Sequence, residues 1–345
     1  MENENTDRRN LHVCITIALE VLLFTPISTW SGEASDSLKR IQERVEQLAR
    51  SFPGTVGVFA HHIETGAEIE VNADRPFPMA SVYKIPIMVH TFREIDADRL
   101  SLGERIEIGE NDRRLGSGLF THMTPGLKPT LYDLMLFMIV VSDNEATDLI
   151  LDRVKPANVT ASMQEMGLKD IRVDRPTADI IRDFLTYGDA SFRGKSSAEI
   201  LASPALKFFS RPTEELERAS RAFIEDLRDV STPRAMTQLL VKIFRSEAAG
   251  KESCEKMLEI LRRQQLRGRI PRYLPEDAEV ADKTGTIGYT TNDAGIIYAD
   301  GQHIALTIFT LKANQQVTTG EAEARIGEIA RAIYEYFHYQ PSLRE

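Results

Sequence analysis

Residues of strand character lie near both ends of this chain, while its long middle part is patterned for helices. Alternating apolar and β-branched residues predict five strands, at 55–63, 68–72, 279–286, 293–298 and 304–311. Helical spacing predicts terminal helices at 35–50 and 320–337, and further helices from 81 to about 244. Early and late strands can share one sheet only if the middle part is inserted between them. We therefore predict an α+β, three-layer fold: an antiparallel five-stranded sheet flanked by helices, with an inserted all-helical lobe.

These boundaries divide the chain into two lobes. We assign residues 35–78 and 250–345 to the α/β lobe and residues 79–249 to the all-helical lobe. A charge-rich segment at 183–230 is interpreted as an insertion that forms a solvated helical cover. A chain of 345 residues, 42% of them hydrophobic, can bury the large core that two such lobes need.

The N-terminal 34 residues have the pattern of a secretory signal peptide. A basic pair at 8–9 precedes an apolar stretch at 11–28, and small and polar residues follow. This pattern predicts a secreted or periplasmic bacterial protein. A retained membrane anchor and a wrongly assigned start are the alternatives, because the carboxylate of Glu20 interrupts the apolar stretch. Contact with a membrane is expected only through this segment, if it stays uncleaved.

The charge and the histidines exclude two classes of function. A net charge of −10 leaves no basic stripe to neutralise phosphates, so nucleic acid is not the expected partner. The seven histidines form no spacing with cysteines or carboxylates that is typical of zinc ligands, so we predict no metal and no cofactor. We expect a monomer that acts on a small molecule.

A Ser-x-x-Lys tetrapeptide, Ser81-Val82-Tyr83-Lys84, precedes an apolar run. If a helix starts here, Ser81 and Lys84 share a face, and free backbone N–H groups surround the serine. A lysine one turn away can hold or take the proton of the serine hydroxyl. Alone, the tetrapeptide is better explained by a helix-capping serine and a solvated lysine.

Two later tripeptides change that balance. Ser142-Asp143-Asn144 follows the apolar stretch 131–141, so its polar groups lie at the end of a buried helix. Asp143 is interpreted as structural, a carboxylate that accepts from backbone N–H groups. Lys283-Thr284-Gly285 precedes alternating residues of strand character. Ser-x-x-Lys, Ser-Asp-Asn and Lys-Thr-Gly in this order form the motif set of penicillin-recognising serine enzymes.

The chain resembles the class A β-lactamases of that group. The resemblance extends beyond the three motifs and covers roughly residues 36–340, with one long interruption. It is carried by the segments 77–84, 134–153, 231–240 and 282–295. It implies the two-lobed architecture predicted above, with the active site in the cleft between the lobes.

The resemblance also implies roles for four catalytic residues. Ser81 is expected to be the nucleophile that forms an acyl-enzyme, and Lys84 is expected to orient it or take its proton. Ser142 and Lys283 resemble the proton-relay pair on the opposite wall of the cleft. The backbone N–H groups of Ser81 and Thr286 are expected to form the oxyanion hole.

Substrate binding is expected at the third motif and at one asparagine. Lys283 with Thr284, Gly285 and Thr286 would hold the carboxylate of the substrate, and Asn144 would donate to its side-chain amide. Arg269 is expected either to reinforce carboxylate binding or to be a solvated surface charge.

The chain departs from the resemblance at the residue that releases the acyl group. Class A enzymes carry a glutamate in an Arg-x-Glu-Pro-x-Leu-Asn loop. Alignment on Arg175 puts Thr177 at the glutamate and Ile181 at the asparagine, and neither side chain is a base near neutral pH. Three explanations stay open: a displaced carboxylate, with Asp179 nearest or another in the insertion; Lys84 as the base for both steps; or slow deacylation.

We therefore predict a serine β-lactamase-like hydrolase that opens β-lactam amides through a Ser81 acyl-enzyme. One alternative is a D-alanyl peptidase or esterase of the same fold, acting on acyl-peptides. Another is a slow-turnover penicillin-binding protein or a β-lactam sensor. The persistence of the acyl-enzyme discriminates among them, because only an efficient hydrolase clears it quickly.

Overall fold

The computed structural model describes residues 28–109, 112–209 and 212–339. Its strands are β1 (Gly54–His62), β2 (Glu68–Val71), β3 (Phe77–Pro78), β4 (Val230–Ser231), β5 (Glu279–Ile287), β6 (Thr290–Ala299) and β7 (Gln302–Lys312). Five of them form one antiparallel sheet in the order β2-β1-β7-β6-β5. The last strand therefore lies between the first strand and β6, and this pairing joins the two ends of the chain. The predicted five-stranded antiparallel sheet is confirmed.

Eleven helices are described around the sheet. Their bounds are α1 (Ser28–Arg50), α2 (Lys84–Asp96), α3 (Leu131–Val140), α4 (Asn144–Val154), α5 (Pro156–Glu165), α6 (Thr177–Gly188), α7 (Ser197–Leu201), α8 (Glu214–Glu225), α9 (Pro233–Phe244), α10 (Lys251–Arg262) and α11 (Thr319–His338). Short 3₁₀ turns join several of them, including one at Ala80–Tyr83 directly before α2.

The sheet buries both faces, because successive side chains of a strand point to opposite sides. On β7, Ile304, Leu306 and Ile308 pack with apolar residues of α1 and α11, so the terminal helices cover one face. Ala305 and Phe309 of the same strand belong to the core that continues into the helical part. The terminal helices and the helical part thus form the outer layers of the predicted three-layer fold.

Helix α2 is the centre of the helical part. Its residues from Lys84 to Phe92 are all buried, and it packs against α3, α4, α5 and α10. A helix with no solvated face in its first turns is placed rigidly by its neighbours on all sides. The turn that precedes α2 is therefore held in place by the core.

The insertion is closed at its base by a buried ion pair. Arg175 Nε lies 2.7 Å from Asp229 Oδ2, and both residues are buried. The other carboxylate oxygen of Asp229 accepts from the backbone N–H groups of Asp174 and Arg175. Next to this ion pair, the two-residue strands β3 and β4 form a small antiparallel sheet that the sequence did not predict. The ion pair therefore holds together the two ends of the long segment between Arg175 and Asp229.

The insertion is more than the solvated cover that was predicted. Phe184 of α6 and Phe223 of α8 pack edge to face with 5.7 Å between ring centroids, and both are buried. Helix α8 also reaches the sheet, since the Tyr289 hydroxyl donates to Glu217 and the Gln315 amide donates to the Thr213 carbonyl. The amphipathic α8 thus joins the helical part to the β5–β6 and β7–α11 connections.

The N-terminal prediction lies largely outside the described residues. Residues 1–27 are not described, and within the described ranges no helix has the length and hydropathy of a membrane span. The signal segment at 1–34 and the domain boundaries at 35–78, 79–249 and 250–345 stay predictions.

Candidate active site

Ser81 lies in a 3₁₀ turn with an unusual backbone. The turn spans Ala80–Tyr83, and Ala80 before the serine has a φ of +47°, in the left-handed region that residues with a Cβ seldom adopt. In a 3₁₀ turn, residues three apart lie one above the other, so Ser81 and Lys84 share a face, as expected. Ser81 is partly exposed, whereas the residues that follow it are buried. The hydroxyl is therefore presented at the surface of a rigid core.

Lys84 joins the first motif to the second. Its Nζ donates to the Ser142 carbonyl at 2.8 Å, to Ser142 Oγ at 3.1 Å and to Asn144 Oδ1 at 2.8 Å. The side chain is completely buried, and burial lowers its pKa well below the usual range; the nearby charge of Lys283 lowers it further. A lysine in this state loses its proton far more readily than one in water, so it can act as a base.

The second motif forms a strained corner between α3 and α4. Ser142 has a φ of +58°, and Ser117 Oγ donates to its carbonyl at 2.6 Å. Asp143 is the N-cap of α4 and accepts from the N–H groups of Ala146, Leu119 and Phe120. Its interpretation as a structural carboxylate is confirmed.

Asn144 is held at both ends of its amide. Its Oδ1 accepts from Lys84, and its Nδ2 donates to the Leu115 carbonyl at 2.7 Å. One Nδ2 hydrogen is left to face the adjoining cavity, which Asn144 lines. The amide is therefore oriented before any substrate arrives.

The third motif brings strand β5 against the turn that carries the nucleophile. A Cβ added to Gly285 would lie 2.8 Å from the backbone nitrogen of Ser81 and 2.7 Å from the Met79 carbonyl oxygen. Only glycine allows this approach, because a Cβ cannot occupy that space. The strand thereby brings the backbone of Gly285 and Thr286 next to Ser81.

Lys283 belongs to this strand and is fully buried. Its Nζ donates to the Thr284 carbonyl at 2.7 Å. Burial and, next, the charge of Arg269 lower its pKa to about 7. Near neutral pH its charge is therefore easily gained or lost, and an anion bound nearby would favour the charged form.

Arg269 is part of this wall. It is only 6% exposed, so the alternative of a solvated surface charge is wrong. Its guanidinium donates to the carbonyls of Gly285 and Asn292 at 2.9 and 2.5 Å and to Thr286 Oγ1 at 2.5 Å. A carboxylate of Glu323 lies 3.3 Å away. These contacts place a fixed positive charge at the end of the Lys-Thr-Gly strand.

These residues surround one cavity of about 350 Å³. Ser81, Ser142 and Asn144 line one side, and Arg269 with the β5 segment 284–286 lines the other. The structure thus brings together the residues that the three motifs predicted, with Lys84 and Lys283 buried directly behind this surface. The remaining wall is apolar and consists mainly of Ile180, Ile181, Phe184, Leu185, Leu266 and Ile287.

Asp179 does not belong to this cavity. Helix α6 begins at Thr177, and its Thr177, Ile180, Ile181 and Phe184 face the cavity. Asp179 lies on another side of α6, where its carboxylate pairs with Arg182 at 2.6 Å and is 38% exposed. The structure therefore does not support the prediction of Asp179 as a displaced base, because the helical period turns it away.

Among the cavity residues that were not predicted from the sequence, two lie close to the motifs, and one further residue lies behind the cavity wall. Tyr83 lines the cavity as part of the nucleophile turn, and Leu266 does so from the loop before Arg269. Behind Thr177, the buried carboxylate of Asp148 accepts from the Thr177 hydroxyl and from the N–H groups of Thr177 and Ala178. The spacing of Asp148, one helical turn after Asn144, was the only available signal.

The side chains that could bind a metal ion do not cluster in the described part of the chain. Across the described ranges, no group of three or more His, Cys, Asp or Glu side chains is arranged to hold a metal ion.

Comparison with known proteins gives consistent matches. A family model described as "Beta-lactamase enzyme family" matches residues 40–337. The carbapenem-hydrolyzing beta-lactamase KPC of Klebsiella oxytoca is 27% identical over 316 residues, covering 90% of this chain and 92% of that protein. The crystal structure of a beta-lactamase from Sphaerobacter thermophilus is similar with a TM-score of 0.66 and 27% identity, covering 87% and 96% of the two chains. The structure of PBP-A has the same fold, with a TM-score of 0.69, 24% identity and coverage of 87% and 97%.

Proposed function

The chain belongs to the beta-lactamase enzyme family, and from this membership we propose that Ser81 is the nucleophile with which it opens β-lactam amides. The observation that carries the proposal is the convergence of Ser81, Lys84 and Ser142 with the Lys-Thr-Gly strand around one cavity. Each part supplies one requirement of acyl transfer: a nucleophile, a base, a proton relay and an anchor. No metal or cofactor is needed for this chemistry.

Acylation starts with transfer of a proton. Lys84 accepts the proton of the Ser81 hydroxyl as Oγ attacks the carbonyl carbon, and a tetrahedral intermediate forms. The C–N bond then breaks, and the nitrogen takes the proton that Lys84 passes on through Ser142 Oγ, 3.1 Å away. The depressed pKa of Lys84 supports this role, because its amine can be neutral when substrate arrives.

The negative oxygen of the tetrahedral intermediate is stabilised by two backbone N–H groups. We assign these to Ser81 and Thr286. They can lie close together because Gly285 of β5 has no Cβ where the strand contacts the nucleophile turn. Such donors act without reorganisation, and one is typically worth about 2.7–4 kcal/mol in the transition state. The rigid core below α2 holds the first donor in position.

The substrate carboxylate is anchored at the end of β5. Thr284 and Thr286 offer hydroxyls to it, and Arg269 and Lys283 provide positive charge. Asn144 donates its remaining amide hydrogen to the side-chain carbonyl of the substrate. The apolar wall of α6 then contacts the acyl substituent, which favours β-lactams with an apolar side chain.

A second function is favoured by Thr177. Where class A enzymes carry the glutamate that activates water, this chain has a hydroxyl, and apolar side chains fill the neighbouring wall. Slow release of the acyl group would make the protein a penicillin-binding D-alanyl peptidase or esterase. The matched experiment measures product release from benzylpenicillin and from a D-alanyl-D-alanine peptide, with Ser81→Ala as the control. Faster turnover of the β-lactam supports the hydrolase, and faster turnover of the peptide supports the alternative.

The finer assignments follow from the same proposal. We assign the chain to class A on its three motifs, although its identity to the beta-lactamases compared above is only 27%. The N-terminal pattern at 1–34 supports export to the periplasm or the medium, where β-lactams act. A monomer suffices, because all of the proposed catalytic groups come from one chain. Antibiotic resistance is the expected cellular effect if turnover is fast.

A further inference from the structure

The cavity contains a hydroxyl that is bound to a buried carboxylate. Thr177 Oγ1 faces two acceptors, Asp148 Oδ1 and, at 3.1 Å, the Asn144 carbonyl oxygen. A hydroxyl has one hydrogen to donate, and these two acceptors compete for it. Toward the cavity, therefore, Thr177 presents the lone pairs of its oxygen and can accept a hydrogen bond from a molecule bound there.

The carboxylate behind this hydroxyl is fixed from several sides. Asp148 Oδ1 accepts from the N–H group of Thr177 at 2.7 Å, and its Oδ2 accepts from the N–H group of Ala178 at 3.0 Å and from Arg114 Nε at 2.9 Å. Only 2% of Asp148 is exposed. Burial raises the pKa of Asp148, so its carboxylate accepts a proton more readily than a solvated one.

A second hydroxyl lies in the same corner. Tyr83 lines the cavity and is 1% exposed; the Thr177 side chain lies beside its hydroxyl, but within the described part of the chain no contact of that hydroxyl has good hydrogen-bond geometry. Burial and, next, the charge of nearby Asp148 raise the pKa of Tyr83 well above its usual range, so the hydroxyl stays protonated. A buried donor without a partner indicates a place where a polar molecule can bind.

We propose that Thr177, backed by Asp148, positions and deprotonates the water that releases the acyl group from Ser81. Tyr83 donates to the oxygen of this water and helps to hold it. This inference rests on the proposed function, because it requires an acyl-enzyme on Ser81. It differs from the three explanations drawn from the sequence, since the proton acceptor is neither Asp179 nor a carboxylate of the insertion, it is not Lys84, and the acyl group is released by an activated water rather than retained.

The proton transfers balance as follows. The water oxygen attacks the ester carbon, one water proton moves to Thr177 Oγ1, and the hydroxyl proton of Thr177 moves to Asp148 Oδ1. The bond between the acyl carbon and Ser81 Oγ then breaks, and the proton of the new carboxyl group passes to Ser81 Oγ. Asp148 finally releases its proton to solvent. Threonine is no base by itself, but here it passes a proton to a carboxylate that it already contacts.

The experiment separates acylation from deacylation in the full chain. Benzylpenicillin is mixed with the protein, and the rise and the decay of the acyl adduct are followed by intact mass. We expect Thr177→Val to acylate at the wild-type rate and to deacylate about 100-fold more slowly, within the range of general-base effects. Thr177→Ser keeps the hydroxyl and should retain most of the deacylation rate. Asp148→Asn should slow deacylation as Thr177→Val does.

Asp179→Asn is the matched control, because it removes a nearby carboxylate that lies outside the cavity. Equal deacylation by Thr177→Val and the wild type, with a folded protein, would overturn the inference. So would slow deacylation by Thr177→Ser equal to that of Thr177→Val, because the hydroxyl would then have no special role. A wild-type adduct that never decays would also overturn it. Failure of the wild type to form any adduct, with benzylpenicillin left intact, would instead refute the proposed function.

Discussion

Gly285→Ala tests whether the close approach of β5 to the nucleophile turn matters for chemistry. The added Cβ would lie 2.7 Å from the Met79 oxygen, 2.8 Å from the Ser81 nitrogen and 2.9 Å from the Val82 nitrogen. All three contacts are shorter than the 3.0 Å that real Cβ atoms keep, and all three are to backbone atoms that cannot rotate away. The strand and the turn must therefore separate by a few tenths of an ångström.

This separation should cost activity more than stability. Ser81 and Thr286 are the proposed oxyanion donors, and loss of one such donor lowers kcat about 10²–10³-fold. Overpacking alone lowers the free energy of unfolding by about 1–3 kcal/mol. We therefore expect the acylation rate of Gly285→Ala with a chromogenic cephalosporin to fall about 100-fold while the protein remains folded.

The assay is stopped-flow acylation, with thermal unfolding measured on the same samples. Gly103→Ala is the control, because its added Cβ would meet only the Ser101 hydroxyl at 3.9 Å. If folded Gly285→Ala acylates at the wild-type rate, the assignment of the oxyanion hole to this contact is refuted.

Three further predictions address individual residues. Lys283→Ala should weaken the binding of substrates with a carboxylate much more than that of neutral esters. In the wild type, KM for anionic substrates should rise as pH increases through about 7, because Lys283 then loses its charge. Equal losses of binding for both substrate types and a KM that does not change with pH would contradict its anchoring role. Tyr83→Phe should slow deacylation and leave acylation unchanged in the mass assay, and an unchanged decay would remove the tyrosine from water binding. Arg175→Ala should lower the free energy of unfolding, measured by urea denaturation, by about 3–5 kcal/mol, because it leaves Asp229 buried without its ion-pair partner. The exposed ion pair of Arg50 and Glu46 gives the control: Arg50→Ala should lower the free energy of unfolding by no more than about 1 kcal/mol.

The sequence predicted the residues whose role depends on local spacing. Ser81 and Lys84 are three apart, and any helical turn brings them to one face. The five strands were readable because their apolar residues alternate, and the pairing of early with late strands followed from the helical insertion between them. That the three motifs meet at one cleft was expected from the resemblance to the class A β-lactamases, and not from the spacing of the residues.

The residues that sequence reasoning missed depend on where helices begin and which elements pack together. Asp179 was the nearest carboxylate in sequence, but the start of α6 at Thr177 turns it away from the cavity. Asp148 contacts Thr177 only because α4 and α6 pack against each other across 29 positions of sequence. The burial of Arg269 likewise depends on the sheet edge that its loop crosses.

The two-residue sheet of β3 and β4 was beyond prediction for a related reason. Two residues carry no periodicity, and the pairing joins positions about 150 residues apart, next to the ion pair of Arg175 and Asp229. The contacts that anchor the insertion could not be predicted, because Phe184 and Glu217 contact partners far along the chain.

The most direct test of the account is the intact mass of the wild-type protein, followed over time after addition of benzylpenicillin. We predict an adduct of one intact penicillin on Ser81 that appears and then decays, and no adduct on folded Ser81→Ala. An adduct on another residue, or labelling that survives in Ser81→Ala, would contradict the assignment of the nucleophile. No adduct at all, with benzylpenicillin left intact, would contradict the central claim that this chain opens β-lactams through Ser81.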